Sequence, residues 1–325
     1  MNTADAWSDF WKQGFPTSFA SDLPESYQGE IGSFWIEAAS KLNKKAKILD
    51  LATGNGALAL LFARFSQKKH MDFEIHAIDS AAISPAENNK TPSLTPLYSS
   101  INFHSNSSIE DFGFDTPGSI DLISSQFGIE YSDFTRSISN AASQLKPDGE
   151  FRAICHYTES ETFENCIEDQ SAYNLAIDTL QIHDLISNFL KSIGSIDSLS
   201  ALEKEILIVS NQEKLNALMS SINVLREKYP NSAVTAYFVN NVNSFFSSRL
   251  VSTAQEKANF SSSLDTGARM GRVRINDQIN ATLSPELVQR YERAISDSGL
   301  TLSNSSKFLD GEKIIGWCFC ANKPT

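Results

Sequence analysis

Two carboxylates and a pair of glycines carry the sharpest chemistry in this chain. Asp50 stands four residues before Gly54 in the stretch "ILDLATGNGALALLFARF" (Ile48–Phe65), and Gly56 follows two residues later. Glycine lets a backbone turn tightly and approach a ligand closely. The spacing Gly54-x-Gly56-x-x-Ala59 fits a turn that holds a nucleotide-like cofactor. A second carboxylate, Asp79, ends the run "FEIHAID", where it can accept hydrogen bonds from both hydroxyls of a ribose. Asp79 alone does not separate NAD from S-adenosylmethionine (SAM), since both carry that ribose. Asp50 separates them. A negative charge there opposes a diphosphate and suits a ligand with ammonium and sulfonium charges. Its competing role is a cap on the turn.

Further reactive groups fall where strands are expected to end. His156 and Tyr157 close one apolar run, and Ser125, Gln126, Glu130 and Tyr131 close another. His156 is the candidate general base, because an unperturbed imidazole titrates near neutrality; a structural role competes with it. Gln126 is placed to orient a substrate or the reacting centre. Glu130 reads as solvated first and as a substrate contact second. His70, His76, His104 and His183 show no metal-ligand spacing and read as structural or surface residues. "GARMGRVRIND" puts Arg269, Arg272 and Arg274 within a short, glycine-containing stretch that reads as a loop. Guanidinium forks suit carboxylate or phosphate. These arginines therefore clamp an anionic substrate, or else they form a solvated loop or internal ion pairs.

These residues need elements to position them. Strands are expected at Lys47–Leu51, over "FEIHAID", over "INFHSN", at Asp121–Ser125 and at Phe151–His156, with helices between. Such alternation implies a parallel, doubly wound sheet. From about Thr158 to Thr282 the apolar spacing turns helical, enough for about four helices. "SPELVQRYERAISDSGL" then has a Ser-Pro start and a Gly stop, and "TLSNSSKFL" and "KIIGWCFCAN" read as two last strands. The expected fold is α/β: a seven-stranded, mostly parallel sheet with an antiparallel last strand, plus an inserted all-helical cap. Residues 1–157 and 283–325 build the core and 158–282 the cap. An insertion after the fifth strand leaves the sheet at its carboxyl edge, where open α/β folds bind ligands, so the cap is expected to cover a substrate.

The N-terminal arm is aromatic: Trp7, Phe10, Trp11, Phe15, Pro16, Phe19, Pro24 and Tyr27. It packs on the core, or Trp7, Trp11 and Tyr27 fold over the cofactor, where aromatic faces favour a sulfonium. The formal charge of -12 opposes nucleic acid and anionic membranes as partners. Cys155, Cys166, Cys318 and Cys320 form no CxxC pair. "CFC" reads as residues on alternate faces of a strand, unable to share a metal, so reduced buried thiols and no metal are expected. There is no signal-peptide core and no apolar run near the roughly 20 residues of a membrane helix. A soluble, cytoplasmic protein follows, with its oligomeric state open.

Taken together, "ILDLATGNGALA" (Ile48–Ala59), "IHAIDSA" (Ile75–Ala81), "DLISSQFGIEY" (Asp121–Tyr131), "QLKPDGEF" (Gln144–Phe151) and the closing strand pair resemble the class I SAM-dependent methyltransferases in order and spacing. The resemblance covers the core, about 200 residues, and not the cap. It implies a Rossmann-like core and SAM as cofactor, with S-adenosylhomocysteine (SAH) as product. Asp50 and the backbone of Ala52, Gly54 and Gly56 would hold the methionine part, and Asp79, with Ser80 beside it, the ribose. Asn106 would take the adenine amino group, with a backbone amide from Ser107. The family's usual residue there is Asp, so Asn106 departs from the pattern. Ser125, Gln126 and Phe127 would line the methyl-transfer channel. "SQFGIEY" is also loosely similar to a stretch of the mRNA cap guanine methyltransferases. The expected acceptor is a small molecule, methylated on O or N and anionic if the arginines face it, with Tyr27, Glu130 and Tyr131 as further contacts. Other implied chemistries are carboxylation of SAM, aminopropyl transfer and a non-catalytic subunit; an NAD-dependent dehydrogenase is the most distant.

Overall fold

The computed structural model describes residues 3–17 and 27–325. Phe19 and Pro24 of the aromatic arm lie outside the described residues. The chain divides into two compact units, one of residues 1–164 and 277–325 and one of residues 165–276.

The first unit begins with α1 (Thr3–Trp11) and α2 (Gly29–Ser40). Then follow β1 (Lys47–Leu51), α3 (Ala57–Lys69), β2 (Glu74–Ile78), the single turns α4 (Pro85–Asn88) and α5 (Thr95–Tyr98), β3 (Ile101–His104), β4 (Ile120–Gln126), α6 (Phe134–Gln144) and β5 (Leu145–Cys155). The strands are apolar on both faces because helices cover both. Ile48, Ile75 and Leu122 pack with Trp35 of α2 and Phe62 of α3 on one side. Leu49, Ile123 and Phe151 pack with Ile138 of α6 on the other. Asp133 caps α6 by accepting from the Arg136 amide at 3.3 Å. The sheet order is β3-β2-β1-β4-β5-β7-β6. β1 pairs in parallel with both β2 and β4. The order reverses there, and the carboxyl ends of β1 and β4 open a crevice.

The fifth strand runs longer than expected. Ile120 pairs with Leu145 and Leu122 with Glu150, so the Pro-Asp-Gly turn bulges out between two paired stretches of one strand.

The second unit is helical, with its own core of Phe189, Leu218, Leu225, Phe238 and Val242. The helices between β5 and the last strand pair are α7 (Glu161–Asn174), α8 (Ile182–Ile193), α9 (Leu199–Ile206), α10 (Val209–Lys228), α11 (Ala233–Ser248) and α12 (Ala254–Ala281), with a π-helical turn at Leu175–Thr179. That is six among the described residues, not about four. One expected helix breaks at Ile208, whose backbone is extended, and Asn211 donates back to the Glu205 carbonyl at 2.8 Å. The stretch read as an arginine loop lies inside α12. Its glycines serve packing: a methyl at Gly271 would overlap the Tyr173 hydroxyl.

The chain closes with α13 (Pro285–Asp297), capped by Ser284, and with β6 (Thr301–Asp310) and β7 (Lys313–Asn322). β7 is antiparallel to both β5 and β6. Cys318 and Cys320 lie on one face of β7, with sulfurs 3.7 Å apart. The expectation of alternate faces is corrected by the period of a strand, which returns residues i and i+2 to the same side. Asn304 of β6 donates to the Cys318 sulfur at 3.7 Å. All four thiols are buried and free, and among the described residues no group of three or more His, Cys, Asp or Glu could hold a metal. No helix of the described residues is long and apolar enough to cross a membrane.

Candidate cofactor and acceptor site

Ala52 and Gly54 have left-handed backbones after β1 (φ +52° and +55°), and Gly56 does so at the start of α3 (φ +83°). Glycine reaches this region freely and other residues reach it at a cost. Asp79, at the end of β2, is buried and ties the turn to its own loop. It accepts from the Gly54 amide at 2.7 Å and from the Ala81 amide at 2.8 Å. A carboxylate offers about four lone-pair directions, so two remain for ribose hydroxyls. Burial raises its pKa to about 6, against the pull of those two amides.

Asp50 is more enclosed. It accepts from Thr53 Oγ1 at 2.6 Å and Ser124 Oγ at 2.9 Å. Burial, with Asp79 nearby, raises its pKa to about 7. The capping role considered for it is present in the structure: Asp50 is the second-to-last residue of β1, and its carboxylate holds the turn that follows.

The cavity at this edge of the sheet measures about 320 Å³. Its floor is Ala52, Asp79, Ser80, Phe127 and Gly128, and its far wall is Trp7, Trp11, Tyr131 and Asp277. α1 supplies that wall. The Trp11 ring lies where a side chain on Gly54 would be. Asn55 donates to the Trp11 and Phe15 carbonyls at 2.8 and 2.9 Å. The Ala82 amide donates to Ser8 Oγ at 2.9 Å. Trp7 stacks on Trp11 with centroids 6.1 Å apart and meets Tyr131 edge-on at 5.7 Å. The Trp7 indole donates to Asp277 Oδ2 at 2.7 Å.

Other expected residues stand behind this lining. Gln126 is buried, and its Oε1 accepts from the Trp35 indole at 2.6 Å. An indole nitrogen only donates, which fixes the amide orientation and leaves Nε2 buried without a partner among the described residues. Glu130, read as solvated, is 5% exposed. Its Oε1 accepts from the His156 amide at 2.8 Å and its Oε2 has no partner. Burial raises its pKa to about 7. His156 is stacked on Phe127 with centroids 4.5 Å apart, and burial lowers its pKa to about 3. It is a neutral imidazole of weak basicity behind the cavity wall. Tyr157 points elsewhere and donates to Glu159 at 3.0 Å. Tyr27 is buried, and its phenol pKa is raised by burial, then by Asp50 and Glu130. Ser125 donates to the Leu51 carbonyl at 3.1 Å and accepts from the Ile129 amide at 2.9 Å.

The residues expected at the adenine follow β3. The Ser107 amide donates to the Asp79 carbonyl at 2.8 Å, so it is already used. Asn106 is left-handed (φ +54°), and its side-chain amide donates to Ser105 at 3.2 Å.

The arginines are engaged within the helical unit. Arg269 pairs with Asp265 at 2.9 Å, one helical turn away, and Arg272 with Asp178 at 2.8 Å. Arg274 lies near enough to Tyr173 to favour its phenolate. Ion pairing, the competing role for this stretch, accounts for the first two.

Sequence reasoning missed Asp277, the last carboxylate of a basic stretch, and no local signal marks it. It had named Trp7, Trp11 and Phe127, whose positions around the cavity follow from the aromatic arm and the end of β4.

A family profile described as "Methyltransferase domain" matches residues 42–222, more than half of the chain. Among curated proteins none matches the sequence. Among solved structures, a candidate SAM-dependent methyltransferase from Methanococcus maripaludis is 13% identical, with 99% of this chain and 92% of that one covered and a TM-score of 0.43. A Haemonchus contortus phosphoethanolamine N-methyltransferase 2 in complex with SAM is also 13% identical, with 100% and 58% covered and a TM-score of 0.36. A geranyl diphosphate methyltransferase in complex with GPP and sinefungin is 9% identical, with 47% and 66% covered and a TM-score of 0.37. The chain thus spans less than two thirds of the length of several structures it matches, this last one narrowly included.

Proposed function

Because the chain belongs to the methyltransferase-domain family of SAM-dependent enzymes, we propose that it methylates an oxygen or nitrogen of a small molecule. The observation that carries this reading is the cavity at the ends of β1, β2 and β4, walled by aromatic rings and carboxylates with no Lys, Arg or His among the described residues of its lining. Such a lining suits a cationic cofactor and repels a diphosphate. Bound SAM would supply a sulfonium methyl: a nucleophile's electron pair bonds to the methyl carbon as the C–S bond breaks, and the electrons of the C–S bond stay on sulfur.

This chain's residues hold and shield that reaction. Asp79 would receive the ribose hydroxyls, with Ser80 beside it. The backbone of Ala52, Gly54 and Gly56 would admit the methionine part, within the field of Asp50, and Asn106 would face the adenine. Trp7 and Trp11 would cover the sulfonium and exclude water. Gln126, with an amide donor to spare, would orient the acceptor or the methionine carboxylate. The volume of the cavity fits a small ligand. A basic cluster, which a carboxylated cofactor would need, is absent from the described lining. With four buried free thiols, the reading places the protein in the reducing cytoplasm.

The test is to incubate the protein with methyl-labelled SAM and a cell extract. Label is expected in the dialysable fraction. Label retained in RNA or protein would overturn the small-molecule reading.

A further inference from the structure

Asp277 has no assigned task. It lies in the first unit and lines the cavity. Its Oδ2 accepts from Trp7, and no donor among the described residues meets its Oδ1. It makes no salt bridge among the described residues, and burial raises its pKa. A half-buried carboxylate with a free oxygen and no cationic partner is costly to keep in place. The cost is offset when a ligand brings the cation. The surroundings fit one: Trp7 and Tyr131 meet edge to face beside it, and the lining contains no side chain that would repel a positive charge. Asp79, the other carboxylate of the lining, is tied to the glycine turn.

Resting on the methyltransferase reading above, we propose that the acceptor is an amine, bound as its ammonium by Asp277 against the Trp7 and Tyr131 rings, and methylated on nitrogen. The ammonium gives its proton to the free Asp277 oxygen, which passes it to water. The freed nitrogen pair then forms the N–C bond as the C–S bond breaks, and the electrons of the C–S bond stay on sulfur. A protonated nitrogen has no pair to donate, so recognition and deprotonation fall to the same carboxylate. The engaged Arg269 and Arg272 leave an anionic acceptor without support from those two residues.

The test is calorimetric titration of the SAH-saturated protein with benzylamine, tyramine and ethanolamine, set against benzoate and phenol. Asp277→Asn is the variant, since its side-chain oxygen can still accept from Trp7. Amines are expected to bind and the oxygen compounds not to. The variant should weaken amine binding at least about tenfold, the scale of one well-placed charge contact, and leave SAH affinity unchanged. A parallel loss of SAH affinity would assign Asp277 to the cofactor and overturn the proposal. So would binding of benzoate or phenol in preference to the amines, or binding of SAH with no amine bound. Failure of the wild type to bind SAH would overturn the methyltransferase reading as well, which separates the two.

Discussion

Glu130 accepts from the His156 amide, and burial raises its pKa to about 7. An unfolded chain holds a glutamate near 4.3. Between about pH 4.3 and 7 the native state therefore binds more protons than the unfolded one, and stability falls as pH rises through that window. Above it the penalty is constant. Asp50 and Asp79 have the same sign, with pKa values raised to about 7 and about 6. Glu130→Gln removes one of the three groups. It should match the wild type near pH 4 and exceed it by roughly 3–4 kcal/mol near pH 8 in urea unfolding. An equal pH dependence in both proteins would show that Glu130 ionises freely in the folded state. His156 moves the opposite way: as a buried neutral imidazole with a pKa of about 3, it favours the folded state above about pH 6.5 and loses that advantage as pH falls toward its folded value.

Helices and strands show where the sequence was legible. The strands around the glycine turn were readable because their apolar runs end at Gly, Pro or Asp and alternate with helical patterns. The helical unit was less so. The apolar spacing of α9 runs on into α10 with no Gly or Pro to mark the break at Ile208, and α12 carries glycines that imitate a loop. Gly271→Ala tests what those glycines do. Alanine favours an exposed helix by about 1 kcal/mol, but here its methyl would overlap the Tyr173 hydroxyl. The variant should be destabilised by about 1–3 kcal/mol, as overpacked cores are. A stabilised variant would show that Tyr173 yields freely. Burial was the other illegible quantity. Glu130 follows a strand end and reads as solvated, because what encloses it comes from elements distant in the chain.

At the scale of the whole molecule the charge pattern is consistent. A chain of formal charge -12 places Asp50, Asp79 and Asp277 in or beside one cavity. Unpaired carboxylates weaken a fold until a cation arrives. The three cores, one on each face of the sheet and one within the helical unit, are built from separate residue sets, and the cofactor claim concerns only the first unit. The measurement that tests that claim most directly is calorimetric titration of the wild type and of Asp79→Ala with SAH, with NAD as the comparison. The account predicts micromolar SAH binding to the wild type, at least about tenfold weaker binding to Asp79→Ala, and no NAD binding. Binding of NAD, or an SAH affinity indifferent to Asp79, would contradict it.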